Sequence, residues 1–326
     1  MAVENDVIYM AVGSQEEGVY RYDIPSGRLE MLPIHSHFPG GNFTFCQAIV
    51  KNHRLIVLDV DRQTPGEFTW AIRMIELRTL TTKDILSVQD QVSYPGPYYD
   101  FDGERVLVQY NSHDDARHCE MSHLMFFDII TGETETIDAH CNENADFYWG
   151  PVYFHDNIIV AEKDIPKGKD VLNDLFILHK KSGVWHEEAF TNDGHSSMPV
   201  LDWPWLVWKV EKRFEWGRKN AIYSFETGET YFRTPPLIAS PSDPRRCGQF
   251  VIWNYLAVTT TPGEESVDEA YLYRLPSGPL YKIPGKKGIT RSNFSCNDRW
   301  VVWSEFENVE KPRGAGWAAL PPTDGE

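Results

Sequence analysis

One apolar strand pattern recurs seven times along the chain, and that recurrence limits the fold more than any other feature. It reads VIYMAV from Val7, RLIVLDV from Arg54, RVLVQY from Arg105, NIIVAEK from Asn157, WLVWKV from Trp205, YLAVTT from Tyr255 and RWVVWSEF from Arg299. Counted from Ile8, Leu55, Arg105, Asn157, Trp205, Tyr255 and Arg299, the copies are 47, 50, 52, 48, 50 and 44 residues apart. Each run is rich in β-branched and aromatic residues without strict alternation, as expected of a strand packed on both faces.

A polar segment and a second strand follow each copy, and a glycine turn usually closes that strand. VYRYDIPSG ends at Gly27, LMFFDIITG at Gly132, LFILHKKSG at Gly183, IYSFETG at Gly228 and YLYRLPSG at Gly278. Glycine there supplies a positive φ at no steric cost. IRMIELRTL from Ile72 lacks the glycine, so its turn is built differently. Short aromatic or apolar stretches precede most copies: FTFCQAIV, YYDFD, FYWGPVYF, SSMPVLD, CGQFVIW and SNFSCN. The repeat is therefore four strands in about fifty residues.

A single four-stranded sheet cannot bury both faces, whereas radial stacking of such sheets does so and protects their edges. The expected fold is all-β: one β-propeller domain spanning residues 1–326, with four-stranded antiparallel blades. Seven blades are predicted. Six is the alternative, because the first unit lacks an obvious innermost strand and the last an outermost one, so the termini could complete one blade. No helical stretch of ten residues separates the strands, which argues against a barrel or doubly wound α/β fold.

The net charge of -17, with no basic block longer than Lys286-Lys287, disfavours nucleic acid and anionic membrane as partners. No apolar run reaches the length of a membrane helix. The N-terminus MAVENDVIYMAVGS has neither the basic start nor the apolar core of a secretory signal, so a cytoplasmic location is expected if the chain is complete. Secretion is the alternative if a signal has been removed. The five cysteines, at 46, 119, 141, 247 and 296, form no CxxC pair. Cys119 and Cys141 could pair across a loop, but isolated buried thiols are the expectation. Asn42-Phe43-Thr44 and Asn293-Phe294-Ser295 are glycosylation triplets that matter only on secretion.

In such a blade the second-to-third strand loop and the connection to the next blade emerge at one end. The segments at that end hold His35, His37, His113, His118, His123, His140 and His195, seven of the 11 histidines, together with Arg213, Trp216, Arg245, Arg246 and Arg291. The opposite hairpins, such as PSG and ITGE, are short and bland. Function is therefore expected at the histidine-bearing end. NSHDDARHCEMSH reads as a long polar loop. Its His113, Asp114, His118 and His123 are donors that a borderline metal accepts, yet their spacing matches no HxxxH or HExxH pattern, and a solvated loop is the simpler reading. The alternative chemistry is proton transfer by one or two histidines with an orienting Asp114, Asp146 or Asp193. The candidate catalytic residues are His113, His118, His195 and Arg213. Tyr98, Trp149, Trp216 and Arg246 are the candidate substrate contacts, with Arg holding a carboxylate or enolate and the rings stacking on an unsaturated ligand. No metal ligand set and no cofactor are assigned.

VYRYDIPSG, LMFFDIITGE and IYSFETGE resemble the blade strands of TolB-type and lactonase-like propellers, which implies a shared architecture and transfers no catalytic residue. The tryptophan-rich DWPWLVWKVEKRFEW and NDRWVVWSEF resemble fungal propeller proteins, a group similar in fold and length that includes hetero-Diels–Alderases. That resemblance implies a cofactor-independent cyclase, or a lyase, of secondary metabolism that accepts a hydrophobic or aromatic small molecule. The competing class is a lectin or protein-interaction platform without catalysis. The loops differ from blade to blade, which favours one composite site over the repeated signature of a lectin.

Overall fold

The computed structural model describes residues 1–12, 18–38, 42–61, 69–88, 97–114, 116–141, 147–148, 150–167, 170–211, 219–234, 240–241, 245–257, 267–276, 278–283, 285–286, 289–307 and 311–322. All the regular elements among these residues are strands, and no helix there is long and apolar enough to cross a membrane. The strands form seven antiparallel sheets, each built from consecutive segments of chain, and these are the blades of a β-propeller. Two compact units divide them: Met1–Gly194 carries four sheets and His195–Glu326 carries three.

The doubly apolar second strands are explained by what lies on each side of a sheet. In the second sheet, Leu55 and Val57 pack with Tyr9 and Val19 of the first. The intervening Ile56, with Val60, Trp70 and Ile72, packs with Tyr99, Phe101, Val106 and Val108 of the third. Leu107 and Leu124 point the other way, against Val152, Phe154 and Ile159 of the fourth sheet. In the second unit, Val207 and Ile222 meet Val251 and Tyr273, and Ile252 and Leu272 meet Phe294 and Val301. Alternate residues of one strand thus enter two different cores, so neither face can be polar. Each fully buried aliphatic side chain contributes about 1.5–3 kcal/mol.

The blade count is seven. The first sheet has its own innermost strand, Ala2–Glu4, paired with Val7–Val12. The last has three strands, Ile289–Cys296, Trp300–Glu307 and Lys311–Ala319. No blade is shared between the termini among the described residues. In the second sheet Leu80 stands at φ 57° where Gly27, Gly132, Gly183 and Gly228 occupy positive φ elsewhere. Its N–H donates to Glu76 O at 2.7 Å, as Gly27 does to Asp23 O at 2.9 Å, so the same turn forms at a steric cost.

Three expectations are corrected. The sixth repeat is displaced: its second strand is Phe250–Ala257, because Gly248 at φ 56° turns the chain after Cys247, and CGQFVIW is not one strand. The inner pieces are Ser240–Pro241 and Arg245–Cys247, so Arg245 and Arg246 lie on a strand rather than a connection. NSHDDARHCEMSH is no long loop: the strands run Arg105–Asp114 and Cys119–Asp128 and stay in register to the Asp114–Cys119 pair. Four cysteines are disulfides rather than thiols. Cys119–Cys141 ties two strands of the third sheet, and Cys247–Cys296 ties the inner strands of the sixth and seventh.

Candidate functional site

Three strand ends of the third sheet meet where the chain leaves for the fourth, and they carry several side chains able to transfer protons. Arg105–Asp114 ends there, Cys119–Asp128 begins there and Thr134–Cys141 ends there. Tyr110 lies opposite His123, and Ser112 is two residues further along the same face. The His123 and Tyr110 rings stack at 4.4 Å with an interplanar angle of 11°. Ser112 Oγ lies 2.8 Å from His123 Nε2. Behind Tyr110, edge-on at 5.5 Å, is Trp70 of the second sheet. The Trp70 indole N–H is buried with no acceptor among the described residues. Cys119–Cys141 closes the outer side of this end.

Burial sets the electrostatics. It lowers the pKa of His123 below the ordinary histidine value, with Asp138 opposing and His140 reinforcing the shift. The same cause raises the Tyr110 phenol. At neutral pH His123 is therefore an uncharged imidazole and Tyr110 a neutral phenol. His140 Nδ1 and Asp138 Oδ2 are 2.9 Å apart on the neighbouring strand. The Tyr110 face thus combines a neutral base with a hydroxyl in hydrogen-bond contact with it, and the histidine–carboxylate pair lies on the other face, opposite Ser122 and Leu124.

His113 and His118 belong to this end and are both exposed, His113 opposite Glu120 in the ladder and His118 in the turn at φ 54°. Tyr98 starts the inner strand Tyr98–Phe101 and is half buried against the core between the third and fourth sheets, while Tyr99 is fully buried on the other side. His195 belongs to the second unit, where its carbonyl accepts Glu211 N–H at 2.9 Å. Arg246 is placed opposite Val251. Arg213, Trp149 and Trp216 lie outside the described residues, as does the proposed orienter Asp146. Among the described residues no three His, Cys, Asp or Glu side chains are grouped to hold a metal ion. Sequence reasoning passed over Tyr110 and Ser112. The signal was the period-two alternation through YNS once the strand is carried past Tyr110.

A second polar group lies in the fourth sheet. Glu162 and Asp164 share one face of Ile158–Lys167, and the Asn173 side-chain amide donates to both, to Glu162 at 3.1 Å. Burial pushes Asp164 up to about 6. Gly150, at φ 111°, lets the chain pass Glu162: a Cβ there would meet Glu162 Oε2 at 2.7 Å. Asp174, by contrast, is fully used in holding the next connection, accepting Thr191 Oγ1, Asp193 N–H and Gly194 N–H.

No known protein family matches the chain, and no curated protein does. Solved structures do. The β-propeller domain of the trilobed protease from Pyrococcus furiosus is similar at TM-score 0.65 and 12% identity, over 100% of this chain and 92% of that one. Pyrococcus horikoshii acylaminoacyl peptidase is similar at TM-score 0.62 and 13% identity, over 96% of this chain and 49% of the peptidase, so the chain spans about half of that protein. An oligogalacturonate lyase from Vibrio parahaemolyticus is similar at TM-score 0.59 and 13% identity, over 94% and 84% of the two chains. At such identities the likeness establishes the seven-bladed propeller, a fold shared with propellers of lyases and proteases, and leaves the chemistry to the site.

Proposed function

We propose that the chain is an enzyme that acts on a small molecule by proton transfer, in the lyase class, at the connection end of the third sheet. One observation carries this reading: His123 is held uncharged by burial while remaining half exposed and hydrogen-bonded to Ser112. A base with a lowered pKa is free to take a proton at neutral pH. His123, once protonated, returns the proton to the leaving group, and Ser112 beside it and exposed His118 of the adjoining turn orient the substrate. The lyase among the structural matches supports an elimination as the first reaction to assay. The cyclase alternative draws on Trp149, Trp216 and Arg213, which lie outside the described residues.

The test is incubation with oligogalacturonate and other uronic-acid oligomers, followed by the ultraviolet absorbance of the conjugated double bond that elimination creates. Wild-type activity lost by about 10²-fold or more in His123→Gln is the expected result. Equal rates in the variant would overturn the assignment of the base. No turnover of any uronate would remove elimination and leave a binding platform as the better account. We further propose that the protein works in an oxidising compartment, a reading supported by the two disulfides.

A further inference from the structure

We propose that Ser112 and His123 form a nucleophile–base pair, giving the site a second activity: acyl transfer from small uncharged esters through a covalent Ser112 intermediate. The proposal rests on the reading of His123 as an accessible neutral base and extends it to a reaction that needs no acidic C–H. Three observations carry it. Ser112 Oγ is 2.8 Å from His123 Nε2, within the contact distance of an activated hydroxyl. Both side chains are only partly buried, so the pair keeps some exposure to solvent. The imidazole is fixed from one face by the parallel Tyr110 ring at 4.4 Å, and the strand carrying Ser112 is paired in register to its last residue. A nucleophile held this way loses little orientational freedom before reaction.

The step balances within the pair. With the imidazole proton on Nδ1, Ser112 Oγ–H donates to Nε2. As Oγ bonds to the ester carbonyl carbon, its proton passes to Nε2 and the carbonyl electron pair moves to oxygen. Collapse of that oxyanion expels the alcohol, which takes the proton back from Nε2. Water then repeats the sequence, releasing the acid and restoring Ser112. Asp138 and His140 act on His123 through their charges, as positioning residues.

A fluorophosphonate tests this without a known substrate, because it loses fluoride to an activated serine and leaves a stable phosphonyl group. The expected result is a single adduct, mapped by peptide mass spectrometry to Ser112 in the intact chain and absent from Ser112→Ala. His123→Gln should label at least about 10²-fold more slowly. Should that variant unfold, the wild-type labelling rate against pH gives the same answer: it should rise with deprotonation of a group titrating below the ordinary histidine range. No adduct at Ser112, or an adduct whose rate ignores both His123 and pH, overturns the proposal. Uronate elimination that persists in Ser112→Ala together with absent labelling would sink the nucleophile and leave the proton-transfer reading standing. Labelling without elimination would do the reverse.

Discussion

Replacing Asp59 by alanine should unlock the connection between the first and second sheets at large cost. Asp59 is fully buried and accepts from Ser36 Oγ at 2.6 Å, His37 N–H at 2.6 Å and Arg73 Nη1 at 3.1 Å. Arg73, only 6% exposed, also donates to Asp84 at 2.9 Å and to His35 O at 2.9 Å. Removing the carboxylate leaves a buried guanidinium with one carboxylate fewer and strands a backbone N–H and a hydroxyl. A buried pair broken on one side costs about 3–5 kcal/mol, most of it the uncompensated charge rather than the lost attraction. The double replacement Asp59→Leu with Arg73→Met should therefore recover more than half of that loss. Native-state hydrogen exchange of Arg54–Asp61 and Thr69–Glu76 reads the local opening free energy of these strands directly. A single-variant loss below about 1 kcal/mol, or a double variant as unstable as the summed singles, would refute the buried-charge argument.

The other predictions concern titration and covalent constraint. Asp164 has its folded-state pKa raised to about 6, so its ionisation opposes folding, and stability is lost as pH rises from near 4 through about 6. Asp164→Asn should remove that slope and gain on the order of 3 kcal/mol at pH 7, seen as a higher melting temperature at pH 7 and little change near pH 4. Of five cysteines, four are paired, so the unreduced, denatured protein should show one reactive thiol, Cys46, and five after reduction. The Cys247–Cys296 bridge spans 49 residues, and its loss through paired serine replacements should cost about 4 kcal/mol by loop-closure entropy, measured by urea unfolding without reductant.

Much of the fold is legible because the recurring second strand is forced to be apolar on both faces by its position between two cores. Ile56 and Val57 illustrate it, each serving a different neighbour. Where such a run is continuous the reading slips, as at FVIWNYLA, where apolar residues on both sides of the true boundary satisfy either register. The turn at Gly248 decides it. The candidate site was legible only as a place. His113 and His118 lie at the end of the third sheet where Ser112 and His123 meet, but that contact depends on strand register and on the Cys119–Cys141 tie. Polar residues such as NSHD have low strand propensity by themselves and extend here because a partner strand holds them. The Asp59–Arg73 pair was equally hidden, since nothing local to either residue announces a partner fourteen positions away.

The most direct test of the proposed chemistry is an NMR pH titration of the His123 ring, assigned by comparison with His123→Gln. The account predicts an imidazole that titrates below the ordinary histidine value near 6.5, stays neutral at pH 7 and shifts upward when Tyr110→Ala opens its buried face. A His123 that titrates above pH 7 would be mostly a cation at neutral pH, unable to serve as the base, and would contradict the central claim.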